Sequence, residues 1–113
     1  MEIQFSSPTL ARSCNSEREL TRIWGRQRGH LIARRLQQLS AAATLKEMEA
    51  LPAAKLHALT GSHAGQFAVD ADYPYRLVFV AVHNPAPIPN KRGVDFGRVT
   101  KIKVTEVTNY HDD

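Results

Sequence analysis

The spacing of apolar residues is helical in the first half of the chain and strand-like in the second. A short strand is predicted over residues 2–6, and a first helix is predicted to begin at Ser16, where Glu19 three residues later completes a capping box. The apolar stripe of this helix is Leu20, Ile23 and Trp24. A second helix is predicted over residues 28–42. Its buried face is Ile32, Leu36 and Leu39. The two helices are expected to pack as a hairpin.

From residue 55 onward the pattern favours strands. Strands are predicted over residues 66–69, 75–82 and 99–107. The first two are joined by a turn at 70–74, which is rich in Asp and Pro. The segment 84–95 is predicted to be a loop, because prolines at its start cannot donate ladder hydrogen bonds. In the closing strand, Lys101 and Lys103 alternate with apolar residues and are expected to face outward.

A strand, a helical hairpin and then several strands predict an α+β fold, with the helices on one face of a small antiparallel sheet and the other face open to a ligand. A chain of 113 residues with 42% apolar content fits a single domain spanning residues 1–113. The sequence has neither an apolar run of about 18 residues nor the basic and apolar regions of a signal peptide. A cytoplasmic location without a membrane partner is therefore expected.

Fifteen lysines and arginines against eleven acidic residues give a formal charge of +4, which favours a polyanionic partner such as nucleic acid, or an acidic protein. Arg18, Arg22 and Arg26 recur every four residues and predict a basic stripe on a helix. A solvated helix face is an equally good interpretation. Cys14 is the single cysteine, and the five histidines lack paired metal-binding spacing. We therefore expect no metal and no cofactor.

Tyr110 and His111 follow the last predicted strand, and this pair is suited to metal-free RNA cleavage. RNA supplies its own nucleophile, so the protein needs a proton acceptor, a proton donor and positive charge on the phosphate. Imidazole serves as base or acid near neutrality, and a tyrosine can orient or stack a base. A purely surface role for the pair is the alternative. His57, before the sheet, and Arg76, in its middle, are expected to converge with the pair on the open face.

Several spaced motifs resemble one known family. They are the strings at 15–20 (NSEREL), 33–36 (ARRL), 51–57 (LPAAKLH), 64–67 (AGQF), 74–79 (PYRLVF), 94–96 (VDF) and 109–111 (NYH). Together they cover essentially the whole chain, and they look like the HigB-like plasmid-maintenance killer proteins of the RelE/ParE toxin superfamily. The resemblance implies a RelE-like fold and a bacterial toxin of a type II toxin–antitoxin pair. Such toxins are similar in cutting mRNA, often in the ribosomal A site, and in being silenced by an antitoxin that also represses their operon.

Residue by residue, the resemblance assigns catalytic roles to four positions. They are His57, Arg76, Tyr110 and His111. Where the family usually shows Leu-Lys-Gly-Asp-Arg, residues 59–63 read Leu-Thr-Gly-Ser-His, so Thr60 replaces the lysine proposed to contact the phosphate. His63 is then the basic neighbour, and Asn109 replaces the family's aspartate before the final Tyr-His. The residues expected to bind RNA are Arg76, His63, Lys101 and Lys103.

The expected function is that of a metal-independent, ribosome-dependent mRNA endoribonuclease. Its expected partners are mRNA, the ribosome and a cognate antitoxin of helix-turn-helix type, with operator DNA reached only through that antitoxin. The alternative is a catalytically weakened RelE-fold protein that acts by binding its antitoxin and operator, or a ParE-type target such as DNA gyrase. Thr60 and Asn109 favour this alternative. A third interpretation, a small basic nucleic-acid-binding domain unrelated to toxins, leaves the spaced motifs unexplained.

Overall fold

The computed structural model describes residues 1–83, 89–90 and 93–109. The helices among these residues are α1 (Pro8–Cys14), α2 (Glu17–Trp24) and α3 (Arg26–Ala41), with short 3-10 helices at Leu45–Ala50, Pro52–Ala54, Gly61–His63 and Phe96–Arg98. The strands are β1 (Glu2–Phe5), β2 (His57–Ala58), β3 (Gln66–Asp70), β4 (Tyr75–Ala81), β5 (Pro89–Asn90), β6 (Gly93–Val94) and β7 (Lys101–Asn109). Within this part of the chain, no helix is long and apolar enough to cross a membrane.

Five strands form one sheet in the order β1-β7-β4-β3-β2, and β5 pairs separately with β6. The pairs β7–β4, β4–β3 and β3–β2 are antiparallel, whereas β1 runs parallel to β7. The prediction of a purely antiparallel sheet is therefore wrong at one edge. Parallel neighbours need a long crossover connection, and the whole intervening chain, including the helices, supplies it here.

Side-chain caps explain where the first two helices begin. The hydroxyl of Ser16 accepts a hydrogen bond from the Glu19 amide at 3.2 Å, which is one half of the predicted capping box; the Ser16 amide donates to the Ser13 carbonyl instead of to Glu19. The preceding helix, α1, was not predicted; the hydroxyl of Ser7 caps it by accepting from the Leu10 amide at 3.1 Å, and Pro8 occupies its first turn.

The helical hairpin depends on a close approach at Gly29. A Cβ atom on Gly29 would lie 2.8 Å from the backbone carbonyl of Leu20 in α2 and from the amide nitrogen of Thr21. No real side chain tolerates this distance to backbone atoms, so glycine is the residue that lets α3 pack directly on α2. Glycine is also required at the junction of the two helices, because Gly25 has a φ of +90°.

Gly29→Ala is expected to lower the free energy of unfolding by about 1–3 kcal/mol, because the added methyl group forces the two helices apart. The sign is informative, since the same change in an unobstructed helix interior gains about 1 kcal/mol. Urea denaturation followed by circular dichroism measures the effect. Gln37→Ala, at an exposed position of the same helix, is the matched control and should change stability by less than about 0.5 kcal/mol.

The core lies between the helices and one face of the sheet. The sheet contributes fully buried side chains, which are Val69, Leu77, Phe79, Ile102 and Val104. The helical layer and the segment after it contribute Leu20, Ile32, Leu39, Leu45 and Met48, each at most 1% exposed. The predicted α+β architecture, with a helical hairpin packed on one face of a sheet, is confirmed.

Candidate functional site

Alternation along β4 divides its side chains between the two faces of the sheet. Tyr75 belongs to the helical face, because the guanidinium carbon of Arg28 lies 3.8 Å from its ring centroid and the Trp24 ring lies 5.9 Å away. Its neighbour Arg76 must therefore point to the opposite face. The same alternation places Val78 with Arg76.

Strand register brings His57 to the face that carries Arg76. Arg76 lies directly opposite Asp70 in β3 and Thr108 in β7, and His57 in β2 lies opposite Ala68 in β3. Directly opposed residues share a face, and Ala68 and Asp70 are two positions apart. His57 and Arg76 therefore lie on the same face, on the two strands β2 and β4 that flank β3.

A pocket of about 310 Å³ opens where these strands meet. It is lined by His57, Ala58, Leu59, Thr60, His63 and Arg76. Three residues singled out from the sequence, His57, His63 and Arg76, thus line one concavity together with Thr60. We call this concavity the basic pocket.

The predicted open face is wrong for the middle of the sheet. Ala68 and Val78 are at most 1% exposed, Asp70 is 5% exposed and Arg76 is 4% exposed. The basic pocket is consequently the place where a ligand would meet the Arg76 guanidinium. Such a site suits a small, deeply seated group such as a phosphate better than a broad contact surface.

A hydrogen bond to the backbone determines which ring nitrogen of His57 carries the proton. Its Nδ1 atom lies 2.7 Å from the carbonyl oxygen of Lys55, and because a carbonyl only accepts hydrogen bonds, Nδ1 must donate. In the neutral ring the lone pair then resides on Nε2, which makes Nε2 the atom able to take up a proton. Lys55 adopts a left-handed conformation, with φ 46° and ψ 52°, at this point. This uncommon backbone geometry for a non-glycine residue orients the carbonyl that holds the imidazole.

The remaining pocket wall is a tight turn. The short helix Gly61–His63 follows Thr60, and the His63 amide donates to the Thr60 carbonyl at 3.2 Å. Thr60 presents a hydroxyl group where the resembling family has a lysine. The permanent positive charge of the pocket lining is therefore that of Arg76, and the imidazoles of His57 and His63 add charge only when protonated.

Arg35 supports this region, although the sequence interpretation gave it no role. Its side chain is 7% exposed; Nε donates to the Asp70 carbonyl at 2.7 Å, and Nη2 donates to the Ala53 carbonyl at 3.3 Å. Burial lowers the pKa of the Arg35 guanidinium, nearby Arg34 lowers it further, and Asp70 opposes the shift. Arg35 thereby joins α3 to the end of β3 and to the turn before Lys55. The sequence feature that indicates this role is an arginine within the apolar stripe of a predicted helix.

Arg35→Lys is expected to destabilise the fold by about 1–3 kcal/mol, because an ammonium group cannot reproduce the planar fork and leaves a buried carbonyl without its donor. Chemical denaturation measures the loss. Arg34→Lys is the matched control, since Arg34 is the exposed neighbour on the same helix and makes the same change of side chain. Equal stability of the two variants would show that the hydrogen bonds of Arg35 contribute nothing.

Within the described part of the chain, the other two predicted site residues, Lys101 and Lys103, are not among those that line the basic pocket. Lys101 pairs with Glu2 at 3.0 Å, and Lys103 lies opposite Val80, four residues along β4 from Arg76, or about 13 Å at the usual strand rise. Tyr110 and His111 lie outside the described residues. The strand that leads to them is described as far as Asn109, opposite Tyr75. Their predicted roles remain predictions.

Metal ligands do not cluster in the described part of the chain: no group of three His, Cys, Asp or Glu side chains there is arranged to hold an ion. The expectation that the chemistry needs no metal or cofactor remains a prediction.

The fold is similar to that of a known toxin. A solved structure of a YoeB/ParE toxin from Agrobacterium tumefaciens superposes with a TM-score of 0.52 and 11% sequence identity, covering 97% of this chain and 99% of that chain. No family model matches the chain, and no curated protein sequence matches it either. The similarity therefore concerns a RelE/ParE-like fold. It does not single out the HigB branch that the sequence motifs resemble.

Proposed function

We propose that the chain is the toxin of a bacterial toxin–antitoxin pair and that its basic pocket cuts mRNA in translating ribosomes. The observation that carries the proposal is the convergence of His57, His63 and Arg76 around one pocket. Its location on a fold similar to that of a YoeB/ParE toxin adds support. His57, His63 and Arg76 can supply a proton acceptor and positive charge for the phosphate, which metal-free cleavage of RNA requires.

In the proposed reaction, the 2'-hydroxyl of RNA attacks the adjacent phosphorus and its proton passes to Nε2 of His57. The bond to the 5'-oxygen then breaks, and His111 supplies the proton that this oxygen needs to leave. Arg76 stabilises the negative charge that develops on the phosphorane, and Tyr110 orients the nucleotide. The products are a 2',3'-cyclic phosphate and a 5'-hydroxyl, so atoms and protons balance without a metal.

A binding-only function is the second candidate, and the composition of the pocket lining favours it. Thr60 provides no charge, and Arg76 is only 4% exposed. A site with one deep cation binds a phosphate more weakly than a site with an additional lysine. In this case the protein acts through its antitoxin and operator DNA, or on a ParE-type target such as DNA gyrase.

The proposal includes a partner and a location. The single domain of residues 1–113 acts in the cytoplasm on mRNA and the ribosome, and an antitoxin of helix-turn-helix type silences it and carries it to operator DNA. An inhibitory interface of about 1,200–2,000 Å² is expected for a stable complex of this kind. A short gene for a helix-turn-helix protein directly beside this one is the genomic observation that would support the pairing.

The test is a cleavage assay on ribosomes translating a defined mRNA, with cut sites mapped by primer extension. Cuts at defined positions are expected, and they should persist in 1,10-phenanthroline, which removes transition metals while leaving the Mg²⁺ that ribosomes need. Loss of cutting in the chelator would contradict the metal-free mechanism.

Thr60→Lys is expected to raise the cleavage rate at least tenfold, because one well-placed charge donor at a developing oxyanion contributes about 10²–10³-fold. Ser62→Lys is the matched control; Ser62 is exposed in the same turn but does not line the pocket. If neither the wild type nor the Thr60→Lys variant cuts translated mRNA, the enzyme proposal fails and the binding-only candidate replaces it.

A further inference from the structure

We propose that Tyr73 and Lys55 form a nucleotide subsite beside the basic pocket, where Tyr73 stacks on an RNA base and Lys55 binds the neighbouring phosphate. Tyr73 lies in the turn that joins β3 to β4, three residues before Arg76. Lys55 lies two residues before His57. We call the pair of Tyr73 and Lys55 the aromatic rim.

The aromatic ring of Tyr73 is presented to solvent. Tyr73 is 69% exposed, and among the described residues Ile23, at 47%, is the other large hydrophobic side chain that is exposed. The Nζ atom of Lys55 lies 5.8 Å from the centroid of the Tyr73 ring, within the range of a cation–π contact. An exposed ring beside a cation suits single-stranded RNA, because every base has a face to stack and every nucleotide carries a phosphate.

The aromatic rim is connected to the basic pocket through a single residue. The carbonyl oxygen of Lys55 accepts the hydrogen bond from Nδ1 of His57 at 2.7 Å, and the ammonium group of the same residue lies over the Tyr73 ring. The span of one lysine therefore separates the ring from an imidazole that lines the pocket. An RNA strand whose scissile phosphate occupies the pocket brings an adjacent nucleotide to the aromatic rim.

Backbone conformation holds both members of the aromatic rim. Among the described residues, Lys55 and Asp72 are the two non-glycine residues with a positive φ, at 46° and 68°, and Asp72 directly precedes Tyr73. Such conformations are uncommon and tend to occur at functional sites. The Tyr75 amide donates to the Asp72 carbonyl at 2.9 Å, and the Ala71 amide donates to the Tyr75 carbonyl at 3.0 Å. A ring carried on a turn that is held in this way loses less freedom when a base binds.

The charges around the aromatic rim favour an anion. Asp72 is the carboxylate that precedes Tyr73, and α3 compensates its charge. Gln27 Nε2 donates to Oδ1 of Asp72 at 3.3 Å, and Arg28 Nε lies 3.4 Å from Oδ2. Lys55 is exposed and takes part in none of the ion pairs between described side chains. Its ammonium group is therefore available to a phosphate.

The inference rests on the proposed function for the class of ligand, which is RNA. It adds a second contact beside the pocket, which selects the nucleotide next to the cut. A protein partner is a poorer match, because a single exposed ring does not make the wider apolar patch of a protein interface. Neither residue of the aromatic rim lines the basic pocket, so both can be changed without altering the residues assigned to the chemistry.

The first test is binding of a fluorescein-labelled strand of six 2'-O-methyl adenosines, followed by fluorescence anisotropy. This probe lacks the 2'-hydroxyl nucleophile and cannot be cleaved. Tyr73→Ala should weaken binding about tenfold, a loss typical of removing one stacking partner. Tyr73→Phe keeps a ring and should bind like the wild type, whereas Tyr73→Leu keeps apolar surface without a stacking face and should resemble Tyr73→Ala.

Ile23→Ala is the control for this test, because Ile23 is the exposed apolar side chain on α2 and lies outside the aromatic rim. It should bind the probe normally. Binding of Tyr73→Ala at the wild-type affinity would overturn the proposal. Failure of the wild type to bind the probe would overturn it as well.

Abasic probes separate stacking from a structural role of Tyr73. Six versions of the probe are made, each with one abasic nucleotide. One position should weaken binding to the wild type about tenfold more than the others do. Tyr73→Ala should lose this additional penalty and keep the penalties at the other positions. If Tyr73→Ala weakens binding by the same factor for all six probes, the ring supports the fold alone and the stacking role is overturned.

Lys55→Gln tests the phosphate contact through the salt dependence of binding. Removing one phosphate-binding cation should lower the slope of log Kd against log salt concentration by about 0.7. Lys55→Arg should restore the wild-type slope, and Lys46→Gln, at another exposed lysine, should leave it unchanged. A Lys55→Gln variant with the wild-type slope would overturn the phosphate contact.

Cleavage on translating ribosomes distinguishes this inference from the proposed function. Tyr73→Ala should change the distribution of cut positions, because the base beside the cut is no longer selected. If the wild type cuts translated mRNA and Tyr73→Ala cuts the same positions at the same rates, the aromatic rim is overturned and the proposed function stands. If the wild type shows the position-specific penalty with abasic probes but cuts no mRNA, the proposed enzyme fails and the aromatic rim stands as an RNA-binding site.

Discussion

Arg76→Ala is expected to lower the rate of mRNA cleavage by about two to three orders of magnitude, the loss typical of removing a donor from a developing oxyanion. Arg76 contributes the one permanent charge among the residues that line the basic pocket. The other residues of the pocket lining carry no permanent charge, so none of them can take its place. Single-turnover cleavage of mRNA on stalled ribosomes measures the loss.

A buried arginine also contributes to stability, and this contribution must be separated from catalysis. Arg76 is 4% exposed and lies opposite Asp70, which is 5% exposed. Arg76→Lys keeps the charge but loses the planar fork, so it should retain the fold while cutting at least tenfold more slowly. Arg98→Ala, which removes an arginine that is 65% exposed, is the control for net charge and should cut normally. A folded Arg76→Ala protein that cuts at the wild-type rate would make Arg76 purely structural.

Local sequence signals predicted the helical layer well, because its determinants are contained within a few residues. The hydroxyl of Ser16 caps α2 at the predicted position, and the apolar spacing of Ile32 and Leu39 identifies the buried face of α3. The seven-residue α1 lacks such spacing, and its signals are limited to a Ser cap and Pro8. A helix this short depends on tertiary packing rather than on its own pattern.

The sheet was less predictable, since its pairing is set between distant segments. Nothing in the residues of β1 specifies that β1 lies parallel to β7 rather than antiparallel to another strand. A register shift between Val78 and Phe79 also changes which residues of β7 face the core. Strict alternation from Ile102 and Val104 would turn residue 106 toward the core. Because of the shift, Val107 packs against the core instead. The uneven spacing of these apolar residues was the signal for the bulge.

The site was predictable in its residue types but not in its enclosure. His57 and Arg76 were proposed from the motifs, and register places them on one face. Tertiary packing buries the middle of this face. It also places Arg35, from the helical side, against the edge of this face. Sequence spacing alone does not encode either feature.

His57→Ala is expected to lower cleavage by about 10²–10⁴-fold, the usual contribution of a positioned general base. The hydrogen bond from Nδ1 to the Lys55 carbonyl, at 2.7 Å, leaves the lone pair of the neutral ring on Nε2, the atom assigned to take the proton of the 2'-hydroxyl. His30→Ala is the matched control, because His30 is exposed on α3, pairs with Glu17 and does not line the basic pocket. That variant should cut at the wild-type rate.

Combining His57→Ala with His111→Ala tests whether the two imidazoles divide the proton transfers. Groups that act as a unit lose little more together than the worse single variant, whereas independent groups lose the product of their effects. Because acid and base serve one displacement, we expect the double variant to cut within about tenfold of the slower single variant. Losses that multiply would show that His111 acts outside the chemical step, for example in binding RNA. Normal cutting by His57→Ala would remove His57 from the mechanism and leave the binding-only function as the better account of the basic pocket.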